Sequence, residues 1–320
     1  MQTVLVAGGA GFIGSHLCKS LLNDNYRVIC VDNFITGNKN NLKDLLRNPE
    51  FTLLEQDVTQ QIQNSKFKIK NLDYIFHLAS PASPNQKSAK SYINHPIETL
   101  LANSQGTYNL LELTLRFNAS FLYASSSEVY GDPAISPQKE NYYGNVNPNG
   151  IRSVYDEGKR FGEAITFSYF RKYNLDTRVI RIFNTYGPMM QVDDGRVVSN
   201  FINQAIRNKP ITVYGKGTQT RSLCYVDDMI SGIKSAMFTS GTKGKIFNLG
   251  NSDERSILDI AKLIKTLTNS KSEIVFEDLP EDDPKARKPD ISHAEEILGW
   301  KPKVITEQGL KMTIEYFKSL

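Results

Sequence analysis

Thr3-Val-Leu-Val-Ala7 runs straight into Gly8-Gly-Ala-Gly11-Phe-Ile-Gly14. An apolar run without polar alternation suits a strand covered on both faces, as in a parallel sheet. Glycines at 8, 11 and 14 then follow the strand and open a helix predicted over 12–23, the context in which this spacing carries meaning. The first glycine permits a tight turn, the second lets backbone N–H groups approach a pyrophosphate, and the third packs helix on strand. The helix N-terminus, with Phe12 and Ile13 in its first turn, adds partial positive charge for phosphates. Alone, the pattern could be an ordinary glycine turn; Asp32 shifts the balance. It closes a second apolar run over 27–31, at nearly the spacing of a carboxylate that accepts from both ribose hydroxyls. After Asp32-Asn33 no Lys or Arg occurs before Lys39, so a 2′-phosphate meets repulsion and the site is expected to take NAD rather than NADP.

Outward from that stretch, strands are predicted at 51–56, 73–78, 121–125 and 177–182, with long helices at 99–117 and 154–173. Short connections and repeated β-α alternation predict a Rossmann-like, doubly wound parallel sheet of the α/β class over residues 1–184. Ligands bind such sheets at the carboxyl ends of the strands. Asp57-Val58 and Leu78-Ala79-Ser80 both fall there: Asp57 could meet an adenine amino group or cap a helix, and Leu78, Ala79 and Ser80 would pass under a cofactor. After Asn184 glycine-rich turns separate shorter elements, and residues 185–320 read as a smaller C-terminal α/β lobe that binds substrate, with the chain crossing back to the first domain. Helices are expected there at 197–207, 226–237, 256–267 and 307–317. The third opens on Ser256-Ile-Leu-Asp259, a capping box. A mixed-charge, proline-punctuated loop is expected at 280–290.

The totals exclude several classes. The composition, 40% apolar and 22% charged, is that of a globular protein. A net charge of +4 without a basic block offers nucleic acid no footprint. Cys18, Cys30 and Cys224 form no C-x-x-C and read as core residues in a reducing compartment. The four histidines show no ligand spacing, so no metal is expected. A strand beginning at Thr3 leaves no room for a signal peptide, and no apolar run nears the roughly 20 residues needed to span a bilayer. The expectation is a cytoplasmic protein with no membrane contact.

Chemistry concentrates in Ser126-Ser127-Glu128 and Tyr155-Asp-Glu-Gly-Lys159. Tyr155 and Lys159 lie one helical turn apart. A neighbouring ammonium favours the phenolate, and moving a tyrosine from ~10 to ~7 takes roughly 4 kcal/mol. A Tyr so tuned accepts a proton from a sugar hydroxyl while hydride leaves for a nicotinamide. Ser126 would hold that same hydroxyl. A Tyr-x-x-x-Lys pair alone is also a common surface arrangement on helices.

Taken together, the glycine motif, Asp32-Asn33-Phe34, Ser127-Glu-Val-Tyr-Gly131 and Tyr155-x-x-x-Lys159 resemble the extended short-chain dehydrogenase/reductases. The chain looks most like their UDP-glucuronate decarboxylase branch, through His77-Leu-Ala-Ser-Pro-Ala-Ser-Pro84, Val146-Asn-Pro148, Arg181-Ile-Phe-Asn184, Asp194-Gly-Arg196, Gln219-Thr-Arg221 and Arg287-Lys-Pro-Asp290. The resemblance implies a UDP-sugar substrate, NAD recycled within each turnover, and a homodimer built on the two long helices. It gives Ser126 a hydroxyl-holding role beside Tyr155 and assigns Lys159 to the nicotinamide ribose. Similar dehydratases carry an Asp-Glu pair where this chain has Ser127-Glu128, so the acid that expels water is absent and Glu128 remains as a polar or proton-handling group. Arg287 is implied to face the reacting end of the sugar, or else to be a solvated loop charge. Asn184, Arg196 and Arg221 match positions that hold the nucleotide diphosphate. The segment 85–95 is longer than the family pattern, which leaves a 2-hydroxy or a 2-acetamido sugar open. A UDP-hexose 4-epimerase, a 4,6-dehydratase and a non-catalytic NAD sensor are the rival readings.

Overall fold

In a computed structural model the described residues are 1–62, 69–279 and 286–320. Six strands build most of the central sheet: β1 (Thr3–Ala7), β2 (Arg27–Asp32), β3 (Phe51–Glu55), β4 (Tyr74–His77), β5 (Ser120–Ser126) and β6 (Thr177–Ile182). The chain then forms β7 (Thr185–Tyr186), β8 (Ile211–Tyr214), β9 (Thr220–Ser222) and β10 (Cys224–Tyr225) outside it, and returns with β11 (Ile246–Leu249). The finished sheet has the order β3-β2-β1-β4-β5-β6-β11 and is parallel throughout. The order reverses direction between β1 and β4, which is where a doubly wound sheet binds its ligand.

Alternation along β1 shows why the sheet needs cover on both faces. Val4 and Val6 join a core with Leu17 and Leu21 of α1 (Phe12–Asn23), whereas Leu5 and Ala7 join another with Leu110 and Leu111. The second face is covered by a π turn (Ala102–Gly106), α3 (Thr107–Phe117) and α4 (Ser153–Tyr173), with α2 (Pro96–Leu101) leading into the π turn. The helix expected at 99–117 is therefore interrupted by a wider turn, and it starts earlier because Pro96, lacking an N–H, fits a first helical position.

Beyond the sheet, α5 (Val197–Ile206), α6 (Val226–Phe238), α7 (Ile257–Thr268), α8 (Ser292–Leu298) and α9 (Thr306–Lys318) complete the chain. Met229 and Ile233 of α6 pack with Val4 and Val6, so this helix serves the sheet although it follows the smaller lobe's first strands. Ser256 accepts the Asp259 N–H at 3.0 Å, the cap expected for α7. β12 (Glu254–Ser256) and β14 (Ala286–Arg287) flank β9, and β13 (Ile274–Glu277) pairs with β8. Of the loop expected at 280–290, residues 280–285 lie outside the described residues. Arg287 is not in a loop but in β14, whose backbone is held by β9. Among the described residues, no helix is long and apolar enough to cross a membrane.

Candidate active site

At the cofactor end the backbone does most of the work. Gly8 has φ +80°, and a Cβ there would meet the Ala79 backbone nitrogen at 2.6 Å. A Cβ on Gly14 would lie 2.1 Å from the Gly8 carbonyl oxygen, so the third glycine is where α1 touches the turn. Gly11 differs: its Cβ position has only the Gly8 oxygen near it, at 3.3 Å, and faces open space at the helix N-terminus. That is the cradle a pyrophosphate requires. Asp32 is buried, accepting N–H bonds from Ala10 and Phe34 at 2.9 Å each, which ties the turn to the loop after β2. Each carboxylate oxygen keeps a lone pair for a ribose hydroxyl. Burial raises its pKa, and the two N–H bonds oppose that. Lys39, the first cation after Asp32, is paired with Glu55 at 2.7 Å.

The flanking assignments divide. Ser80, just past β4, accepts from Asn103 Nδ2 at 2.9 Å, and Leu78 and Ala79 cross directly over Gly8. Asp57 accepts from Asn33 Nδ2 at 2.7 Å and from the Thr59 N–H at 2.8 Å, so it closes its own turn and ties down Asn33. The Val58 side chain lies in the core against Gly106, and its carbonyl accepts from Asn109.

Tyr155, Lys159 and Ser126 do converge. Ser126 ends β5, and its hydroxyl lies near enough to the Tyr155 phenol to draw the phenol's pKa down. The ammonium of Lys159 donates to the Ala124 carbonyl at 2.9 Å and sits 5.6 Å from the Tyr155 ring centroid. The expected depression of the phenol toward neutrality is corrected here. Burial pushes Tyr155 up to about 12, while the groups that pull it down are Arg196 and Ser126 rather than Lys159. Lys159 is itself buried and drawn down to about 7, with Glu163 opposing. Glu163, one turn beyond Lys159 on α4, accepts from Arg181 at 2.9 and 2.7 Å and from Ser125 at 2.6 Å, which fixes the helix against β5 and β6.

The other end, where the sequence leads one to expect a sugar, is a charge cluster. Arg287 is 2% exposed and donates to Ser127 Oγ at 3.1 Å, to Glu128 Oε1 at 2.9 Å and to the Gly131 carbonyl at 3.2 Å. Arg152, at the start of α4, forms a second ion pair with Glu128. Burial alone would raise the Glu128 carboxyl, but the Arg152 and Arg287 guanidiniums outweigh it and hold the group at about 2. Glu128 is thus a fixed anion, not the proton-handling group the sequence left open. With Arg152, Asp156, Arg287 and the 145–147 segment it lines a cleft of about 230 Å³.

Arg196 donates to the Ala82 carbonyl at 2.8 Å, pairs with Asp194 at 3.3 Å, and exerts its charge on Tyr155. Arg221 stands opposite Arg287 across β9 and β14, and its charge reaches Glu128. Asn184, just beyond β6, gives its carbonyl to the Cys224 N–H at 2.9 Å. The unusual 85–95 segment is pinned through Asn85 and Ser88 to Asp193, at 2.9 and 2.8 Å. It lays Tyr92 flat on Tyr155, ring centroids 5.1 Å apart. Sequence reading missed Tyr92, Arg152, Asp156 and Asn103. The Arg-x-x-Tyr-Asp spacing held a signal for two of them, since Arg152 and Asp156 are one helical turn apart. Asn103 is turned inward by the π turn, where it also accepts from Tyr123 at 2.8 Å. Cys18, Cys30 and Cys224 are free and buried. Among the described residues no group of three His, Cys, Asp or Glu side chains could hold a metal.

The family model described as "NAD dependent epimerase/dehydratase family" matches residues 4–250. The chain is 48% identical over 316 residues to UDP-glucuronic acid decarboxylase 5 of Arabidopsis thaliana, covering 98% of this chain and 89% of the relative. It is 47% identical over 317 residues to UDP-glucuronic acid decarboxylase 1 of Xenopus tropicalis, covering 99% and 72%. In structure it is similar to the UDP-glucuronic acid 4-epimerase of Bacillus cereus in complex with UDP-glucuronic acid and NAD, with TM-score 0.88, 29% identity and 99% of each chain covered.

Proposed function

The chain belongs to the NAD-dependent epimerase/dehydratase family, and from that premise we propose that it decarboxylates UDP-glucuronate to UDP-xylose and regenerates NAD within each turnover. One observation carries the reading: buried Arg287 is held against Ser127 and Glu128 at the end of the strand that delivers Ser126. Among the described residues, an anionic sugar finds there two guanidiniums and one neutralising carboxylate bonded to them. Relatives named as decarboxylases at 47–48% identity favour loss of CO₂ over the 4-epimerase reading.

The Gly8–Gly14 turn, Asp32, Asn33, the 78–80 segment, Tyr155 and Lys159 would hold NAD. NAD, when bound, would supply a hydride acceptor for C4 and the means to return that hydride. As the phenolate, formed by loss of its own proton to water, Tyr155 accepts the proton of the sugar 4-hydroxyl, and Ser126 fixes that oxygen. A ketone at C4 is β to the C6 carboxylate, so the C5–C6 electrons can move into it as an enolate. Ser126 and protonated Tyr155 then donate to the enolate oxygen, with Arg287 adding positive charge nearby. Asn184, Arg196 and Arg221 are the residues we assign to the UDP portion and its junction with the sugar. Ser127 cannot supply the acid with which a dehydratase expels water.

The test is a panel of UDP-sugars analysed by mass. UDP-glucuronate should give a product lighter by one CO₂. Loss of water from UDP-glucose, or an unchanged mass with inverted C4, would assign the protein to a dehydratase or an epimerase; loss of CO₂ only from a 2-acetamido acid would change the sugar. A protein that binds NAD but alters none of the panel would be a sensor.

We also propose a homodimer, because Ile97, Leu101 and Tyr108 on α2 and α3 and Phe161 on α4 are exposed apolar residues on the two long helices. Light scattering giving a monomer mass would end that proposal. Cytoplasmic location is proposed from the three free cysteines, and fractionation that recovers the protein from an oxidising compartment would refute it.

A further inference from the structure

Asp156 follows Tyr155 on α4 and is 5% exposed. Its Oδ1 has no hydrogen-bond partner among the described residues, yet the side chain lines the same cleft as Glu128, Arg152 and Arg287. Two carboxyls therefore share one cleft with two guanidiniums. The guanidiniums are bonded to Glu128 alone of the two. Where like groups are pushed apart in this way, one becomes the fixed anion and the other the acid.

Resting on the decarboxylase reading, we propose that Asp156 is a catalytic residue: the acid that protonates C5 of the sugar after CO₂ has left. The step balances. The reaction consumes one proton per CO₂ released, and that proton must be delivered to carbon. Loss of CO₂ leaves the C5 electron pair delocalised onto the C4 oxygen as an enolate. The Asp156 O–H bond breaks, a C5–H bond forms, the enolate pair returns as the C4 carbonyl, and Asp156 becomes a carboxylate. Water entering the cleft reprotonates it.

Competing donors are occupied. Tyr155 holds the proton taken from the 4-hydroxyl and must return it to that oxygen. Glu128 is kept ionised by its two partners. The Ser127 hydroxyl is a far weaker acid than a carboxyl and accepts from Arg287. The charged and titratable groups facing Asp156 are Glu128 from the turn after β5, Arg152 and Glu157 from its own helix, Arg287 from β14, and the phenols of Tyr92 and Tyr155. Burial first, then the Glu128 charge, raise Asp156 to about 8 against the pull of Arg152 and Arg287. A raised group keeps its proton below that value and loses it above. The C5 step should therefore be flat below pH about 8 and slow as pH rises through it.

The experiment is turnover of UDP-glucuronate in deuterated water by the unaltered protein and by Asp156→Asn, following CO₂, NADH absorbance and UDP-xylose together. The unaltered protein should place one deuterium at C5 in a single configuration, with the alkaline decline. Asp156→Asn should bind NAD and release CO₂ in the first turnover normally. NADH and a 4-keto pentose should then accumulate, UDP-xylose should form at least about tenfold more slowly, and the alkaline decline should vanish. Asp156→Glu should recover part of the rate and the decline. Wild-type UDP-xylose formation and an unchanged pH profile in Asp156→Asn would overturn the proposal. So would equal loss of first-turnover CO₂, which would place Asp156 before decarboxylation. No CO₂ from the unaltered protein would overturn the decarboxylase reading itself.

Discussion

The two ends of the site are built by different means. The cofactor end comes from one contiguous stretch, Thr3 to Gly14, with Asp32 from the next strand, and its working parts are N–H groups and close backbone approaches. The sugar end gathers Tyr92, Ser127, Glu128, Arg152, Asp156 and Arg287 from distant segments, and its working parts are charges. A backbone turn tolerates no added atom at Gly8 or Gly14 but is indifferent to pH. A charge cluster tolerates small movements but depends on every partner's ionisation.

The largest effect belongs to the junction between the ends. Tyr155→Phe should still bind NAD through the glycine turn and Asp32, and lose at least about a hundredfold in turnover. Near-normal turnover with the fold intact would remove Tyr155 from the chemistry. Next is the cradle. Gly14→Ala should cost about 3 kcal/mol and abolish NAD binding, because its Cβ would overlap the Gly8 carbonyl. Chemical unfolding at several pH values should show the same deficit throughout; a pH-dependent deficit would contradict a steric cause.

Arg152→Gln should do the opposite at the sugar end. It removes one of two partners of a half-buried carboxylate, with an expected cost of about 2 kcal/mol near neutrality. A depressed carboxyl stabilises the fold above its ordinary pKa and loses that contribution as pH falls toward its folded value, here about 2. Without Arg152 the folded value rises, so acid unfolding should begin at higher pH. Identical acid limbs in the two proteins would break the contrast. The smallest effect is selectivity. Asp32→Ala should narrow the preference for NAD over NADP by roughly tenfold, measured calorimetrically. Equal affinities in the unaltered protein would dispose of the ribose assignment.

The same division explains what could be read without a structure. Helix 12–23 and strand 177–182 carry their periodicities and punctuation locally, and they appear at those positions. The glycine turn and Asp32 are equally local. The π turn at Ala102–Gly106 leaves no mark in hydrophobic spacing, so Asn103 escaped notice. Tyr155 and Lys159 were placed together by helical geometry, but their ionisation depends on burial, which an i, i+4 spacing does not report. Arg287 could be suspected only through resemblance, since its partner strand β9 lies far away in sequence. Arg152 and Asp156 flank Tyr155 closely, yet their roles depend on Glu128 arriving from β5.

The most direct measurement of the central claim is CO₂ release from UDP-glucuronate labelled at C6, with the NAD redox state followed at the same time. Labelled CO₂ should appear in step with UDP-xylose, with no net NADH at completion. Label retained in a sugar product, with CO₂ absent, would contradict it.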